Sequence, residues 1–260
     1  MSETVQDGIL LFGDSITQGS WQPNGLAQKL AYVYARKLDV INRGLSGYNS
    51  EWGLSVFKQI LSPHNASYIS HLPKIRLLTL WFGANDACIP PSPQHVPLSR
   101  FESNIRELIT IITTPSSAYY SPVTKIILIT PPPVNTYQRG AELAARDPPV
   151  ALDRTFETTK SYAEKVGEIG KSLNIPVLDV WNALYDAAGH DEKALSQFMD
   201  DGLHLNGEGY EIAYNLLIET IKTHFSQLHY DNIPMVFPPW AEIDWANPGP
   251  LTARKFAPDT

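Results

Sequence analysis

The chain of 260 residues contains one cysteine, Cys88, and three methionines. A lone thiol excludes an intramolecular disulfide and agrees with a reducing compartment. No basic run occurs and the formal net charge is −7, which argues against nucleic acid or an anionic membrane surface as a partner. No apolar stretch approaches the length of a membrane span, so stable membrane insertion is not expected. The first seven residues are polar and acidic, without the basic and apolar regions of a secretory signal. Histidine, cysteine and carboxylate residues show no clustered ligand spacing, so neither a metal nor another cofactor is expected. Internal repeats and low-complexity tracts are also missing. These absences lead to the expectation of a cytoplasmic globular protein acting on a small molecule.

What the chain does have is a series of short apolar runs that stop abruptly. The first, Ile9-Leu10-Leu11-Phe12, ends in Gly13-Asp14-Ser15. Its length suits a buried strand, and the glycine breaks it just before a serine. Val40-Ile41-Asn42 ends in Arg43-Gly44-Leu45-Ser46-Gly47, where two close glycines imply a sharp turn or exposed backbone N–H groups. Ile75 to Phe82 stops at Gly83-Ala84-Asn85-Asp86, Lys125 to Thr130 stops at three prolines, and Val177-Leu178-Asp179 makes a fifth short strand.

Helical patterns separate these runs. One runs from Leu26 to Leu38 with Asn24 as its cap, and another from Ser50 to Leu61. A third follows a capping-box pattern at Ser99 and Glu102 and presents Phe101, Ile105, Leu108, Ile109 and Ile112 on one face. Others span Leu152 to Leu173, Trp181 to Ala188 and Gly207 to His224. Ile89 to Pro97 reads as a surface loop, and Thr136 to Pro149, polar and flanked by proline, as a loop or short insertion. Strands alternating with helices imply one α/β domain, a parallel sheet covered on both faces. From Ser226 onward, prolines mixed with Phe237, Trp240, Trp245 and Phe256 read as a tail on the domain or on a partner, since free disorder is poor in aromatics.

Parallel strands bring their carboxyl ends to one edge, where ligands bind in such sheets. Ser15, Gly44 and Asn85 each follow a strand closely, and His204 precedes a helix whose N-terminus returns to that edge. The four residues therefore converge on one crevice. Serine attacks a carbonyl only when a base takes its proton, and histidine is suited to that task. Asp201, three residues before His204, can fix the ring tautomer, with Asp200 as the less suited alternative. The N–H groups of Ser15 and Gly44 and the Asn85 amide can receive the oxyanion, each donor being worth about 3–4 kcal/mol. Blander readings stand beside these: an N-capping aspartate with a surface histidine, a tight turn at Gly44, a left-handed loop residue at Asn85. Cys88 has no histidine at an informative spacing and reads as a structural thiol. His64, His71, His95, His190, His224 and His229 read as structural or exposed, and Tyr48, Trp52 and Trp81 as packing residues.

Gly13-Asp14-Ser15-Ile16-Thr17, Gly44, Gly83-x-Asn85-Asp86 and Asp201-x-x-His204, in this order, resemble the four signature blocks of the SGNH (GDSL-type) hydrolases. Asn42 to Asn49, Gln94 to Leu98 and Asp201 to Leu205 resemble the isoamyl acetate-hydrolysing esterase group within them. The resemblance implies a three-layer α/β/α sandwich with a five-stranded parallel, flavodoxin-like sheet over residues 1–225, followed by a tail over 226–260. It implies Ser15 as nucleophile, His204 as base and Asp201 as its partner. Ser15, Gly44 and Asn85 would line the oxyanion hole, with Asp14 and Asp86 in support. The expected activity is hydrolysis of small carboxylic esters, above all short-chain acetates, through an acyl-enzyme. A thioesterase, lysophospholipase or carbohydrate deacetylase on the same framework is the alternative, and a silent binding module the rival of another class. The aromatic tail makes a lid or a homodimer contact the further expectation.

Overall fold

A computed structural model of the chain describes residues 6–63 and 73–247. Five strands form one sheet: β1 (Gly8–Gly13), β2 (Asp39–Gly44), β3 (Ile75–Trp81), β4 (Lys125–Ile129) and β5 (Val177–Leu178), in the order β2-β1-β3-β4-β5. All four pairings are parallel. β1 and β3 are central, which is why both read as unbroken apolar runs rather than alternating ones. Ile9 and Leu11 of β1 enter one core and Leu10 and Phe12 the other, as the two-residue period of a strand requires.

The helices fill the two outer layers. α1 (Ser15–Gly19) is a single short turn after β1, and α2 (Leu26–Val33) precedes β2. α3 (Ser50–Phe57) and α4 (Leu98–Thr113) lie either side of β3 in sequence. α5 (Thr136–Ala144) and α6 (Phe156–Leu173) link β4 to β5, and α7 (Val180–Ala187) and α8 (Gly207–His224) close the domain. α2, α7 and α8 bury Leu30, Leu184 and Leu217 in the core that holds Ile9. α3, α4 and α6 bury Phe57, Phe101 and Val166 in the other. No described helix is long and apolar enough to cross a membrane.

Several local expectations need correction. Asn24 is not the cap of α2; it adopts φ 64 and Gly25 takes the N-cap position. That helix ends at Val33, not Leu38, because the chain turns through Arg36 at φ 65. α3 ends at Phe57 rather than Leu61. Ser99 and Glu102 form no capping box: the N-cap of α4 is Pro97, two residues before Ser99, and Glu102 instead accepts from Arg106 at 2.9 Å. α6 starts at Phe156 behind a Thr155–Thr158 capping box, leaving residues 152–155 outside the helix. Most consequential, 136–149 is not simply a loop. Asn135 Oδ1 accepts the Gln138 N–H at 3.1 Å and caps α5.

After α8 the chain crosses back over the domain. Leu228, Ile233 and Val236 are buried, Tyr34 Oη donates to Leu228 O at 2.8 Å, and Val236 N–H donates to Arg36 O at 2.8 Å. Trp240 and Trp245 stand exposed beyond that anchor. His64, His71 and Phe256 lie outside the described residues.

Candidate active site

The sheet order reverses direction at β1, so the crevice between the carboxyl ends of β1 and β3 is the topological switch point where such folds bind ligands. Ser15 follows β1 and Asn85 follows β3, one on each side of it. Gly13 is required at the end of β1, because a side chain there would meet Thr17 and the Trp81 carbonyl. Asp14 then caps α1, its carboxylate accepting the Ile16 N–H at 2.9 Å. Ser15 is the first residue of that turn, and no described residue accepts its N–H, as expected for a helix start. Two distant contacts fix α1: Tyr210 Oη of α8 donates to Ile16 O at 2.6 Å, and Asn42 Nδ2 donates to Thr17 O at 2.7 Å.

His204 and Asp201 arrive on the turn before α8, which is closed by a bridge between Met199 and Leu205. Ser15 Oγ lies 2.9 Å from His204 Nε2, and His204 Nδ1 lies 2.9 Å from Asp201 Oδ2. A carboxylate only accepts, so Nδ1 carries the ring proton and Nε2 is left to accept from the serine. Asp201 Oδ1 takes the N–H groups of Leu203 and His204 at 3.0 and 2.8 Å. Partial burial pushes the Asp201 carboxyl up, but these bonds and the imidazole outweigh it and hold the group well below the usual carboxylate range. Asp200 contributes only its backbone, its N–H donating to His204 O.

Asn85 sits buried, with Nδ2 donating to Tyr48 O at 2.8 Å and Oδ1 accepting from Arg154 Nη2 at 2.7 Å. Arginine can only donate and a carbonyl only accept, so the two partners fix which way the amide faces. One Nδ2 hydrogen remains for a ligand. Gly44 differs from expectation. It is the last residue of β2, paired with Gly13, and its N–H already donates to Asn42 Oδ1 at 2.8 Å. Its lack of a side chain serves close packing, since a Cβ would collide with the Gln18 backbone. A donor not engaged by any described residue lies three residues on. Gly47 stands at φ 79 in a turn closed by Tyr48 N–H to Leu45 O at 3.0 Å, and no described residue accepts its N–H.

Asp14 and Asp86 lie beneath this surface. Burial pushes Asp14 up to about 7, the Ile16 N–H opposing and the neighbouring Asp86 charge adding to it. Asp86 rises to about 6, again by burial, moderated by the Ser50 hydroxyl and N–H that it accepts. Cys88 is a free thiol, buried and raised by that burial, and His95 bonds the Cys88 carbonyl at 2.7 Å. Trp81 is fully buried, Nε1 donating to Thr130 O, and Tyr48 meets Trp52 edge to face.

Relatives match this chain over nearly its whole length. An isoamyl acetate-hydrolyzing esterase 1 homolog of Bos taurus is 32% identical over 95% of this chain and 92% of its own length. The isoamyl acetate-hydrolyzing esterase of Saccharomyces cerevisiae is 29% identical over 90% and 94%. Among solved structures, a lipase/acylhydrolase from Enterococcus faecalis superposes with TM-score 0.59 at 27% identity, over 84% of this chain and 96% of its own. An acetylxylan esterase from Geobacillus stearothermophilus, at 21% identity and TM-score 0.57 over 85% and 96%, shares the fold. Sequence and fold together define a carboxylic ester hydrolase. The chain belongs to the GDSL-like Lipase/Acylhydrolase family, whose sequence model matches residues 11–212.

Proposed function

We propose that the protein hydrolyses short-chain acetate esters through an acyl-enzyme on Ser15. The observation that carries this reading is the unbroken series Ser15 Oγ–His204 Nε2 and His204 Nδ1–Asp201 Oδ2, each step 2.9 Å. His204 takes the Ser15 proton as Oγ bonds to the ester carbonyl carbon, and returns it to the departing alcohol. A water then attacks the acyl-serine with the same imidazole as base, releasing the acid. The oxyanion is received by the N–H groups of Ser15 and Gly47 and the remaining Nδ2 hydrogen of Asn85. Gly47 replaces Gly44 in this assignment because the Gly44 N–H is engaged by Asn42. Acetate as the acyl group rests on the relatives named for isoamyl acetate.

The test is a series of acetates and of p-nitrophenyl esters with lengthening acyl chains, run beside organophosphate labelling. The expected result is alcohol release that is fastest for acetates, with the label on Ser15 and absent from Ser15→Ala. Preference for acyl-CoA, lysophospholipid or acetylated sugar would reassign the substrate. A label that persists in Ser15→Ala would remove the mechanism.

A further inference from the structure

A cluster of charged side chains built on two buried arginines abuts Asp201 on one side and Asn85 on the other. Arg139, on α5, donates from Nη1 to Asp201 Oδ2 at 2.9 Å. That oxygen is the one His204 Nδ1 also addresses. Arg139 turns its other edge to Asp153, with Nε to Oδ1 at 3.4 Å and Nη2 to Oδ2 at 3.0 Å. Asp153 Oδ2 then accepts from Arg154 Nη1 at 2.6 Å. Arg154 ends the series on the loop after β3, with Nε to Ala84 O at 2.6 Å and Nη2 to Asn85 Oδ1 at 2.7 Å. The side chains of Arg139 and Arg154 are only 6% and 2% exposed. A guanidinium is placed there at a cost unless its donors are matched, and here two arginines and the carboxylates of Asp153, Asp201 and Glu142 match each other.

We infer that Arg139 and Arg154, bridged by Asp153, are positioning residues that hold the His204–Asp201 turn and the Asn85 loop in one register. The inference deepens the reading of Ser15, His204 and Asn85 given above and rests on it. Local packing supports it. Gly202, at φ 83, lies so close to the first turn of α5 that a Cβ would come 2.5 Å from the Arg139 N atom, and Asn135 N–H donates to Gly202 O at 2.9 Å. Gln138 Nε2 adds bonds to the carbonyls of Met199 and Asp200 at 3.1 and 3.0 Å. α5 is thus set against the base-bearing turn by its backbone, and Arg139 extends that contact to the far side of the crevice.

The charges give the series a second consequence. Arg139 Nη1 and His204 Nδ1 address the same Asp201 oxygen, which places the Arg139 cation beside the imidazole. Asp153 partly cancels that cation. Asp14, beside α1, also interacts with His204, and Arg154 and Asp86 act on Asp14 in turn; these, and Asp200, whose N–H donates to His204 O, are unchanged in the variants below. Removing the Arg139 charge should therefore move the acid limb of kcat/KM to higher pH, and removing the Asp153 charge should move it lower. Distortion alone has no reason to move the limb in opposite directions.

The experiment measures kcat, KM and the acid limb for Arg139→Gln, Arg139→Lys and Asp153→Asn, with Ser15 labelling in each. Arg139→Gln should lose about tenfold or more in kcat through misplacement of the base, with its limb raised by about half a unit to one unit. Arg139→Lys should keep the wild-type limb while recovering only part of kcat, because lysine supplies the charge without the fork. Asp153→Asn should lower the limb, and it keeps the test decisive if Arg139→Gln does not fold. Limbs that stay in place, or shift the same way in Arg139→Gln and Asp153→Asn, overturn the proposal while leaving a labelled Ser15 intact. Absence of label at Ser15 in the wild type overturns the reading beneath it.

Discussion

Ser15, Gly47 and Asn85 stand at or just beyond the carboxyl ends of three adjacent strands, whereas Asp201 and His204 stand on a turn outside the sheet. The first group is carried chiefly by the backbone ladder of β1, β2 and β3, with Asn85 held in addition by Arg154 and the Tyr48 carbonyl. The second is carried by α5, through Gly202, Asn135, Gln138 and Arg139. A chemical group on the sheet can thus be lost with most of its surroundings intact. A group on the turn is lost together with the contacts that place it.

The largest effect that distinguishes the two halves is expected at Asn85. Asn85→Ala removes one oxyanion donor and should reduce kcat by about a hundred- to a thousandfold with little change in KM. It also leaves Arg154 Nη2 and Tyr48 O without a partner, so some loss of stability accompanies it, on the order of 1–3 kcal/mol. Steady-state kinetics and thermal melts check both. A tenfold effect or less would take Asn85 out of the oxyanion hole. Gly202→Ala is the counterpart on the turn. A methyl at φ 83, directed at the Arg139 and Asn135 backbone, adds conformational strain to a backbone collision, and about 3 kcal/mol or more of stability should be lost. Unlike Asn85→Ala, it touches no reacting group, so any fall in kcat reports displacement of His204. A normal Tm for Gly202→Ala would show that α5 does not hold the turn.

The same division decides what could be read from the sequence. Strand ends were legible because Gly13, Gly83 and the Arg43-Gly44-Leu45-Ser46-Gly47 stretch interrupt apolar runs, and parallel topology does the rest. Asp201-x-x-His204 was legible because three residues span one turn. Which of two glycines exposes its N–H was not: that depends on Asn42 turning its side chain back onto Gly44. The pair of glycines was nonetheless a signal that some donor lay there. α5 escaped because its sequence, Thr136 to Ala144, buries only Arg139 and Leu143 and so shows no apolar stripe. Asn135 was its one local mark. Arg139, Asp153 and Arg154 escaped for a deeper reason, since a buried ion pair across 14 residues leaves no periodicity to detect. Their presence had to come from tertiary structure.

The smallest effect concerns Asp14, on the sheet-borne side, where burial opposes charge. An acid whose folded pKa lies near 7 and whose unfolded value is 3.8 binds more protons folded than unfolded between those limits. Stability contributed by the protonated form is therefore complete below pH 3.8, falls as pH rises, and is exhausted just above pH 7. Asp86, raised to about 6 for the same reason, shares the effect. Asp14→Asn keeps an oxygen for the Ile16 N–H and removes the buried charge, so it should raise stability at pH 8 by about 1 kcal/mol, or roughly 2–4 °C in Tm, and by less at pH 5. Melts of wild type and variant across that range measure the difference. A gain from Asp14→Asn that is equal at both pH values would mean that Asp14 is not the group under strain, and the sheet half would then owe its order to the backbone ladder alone.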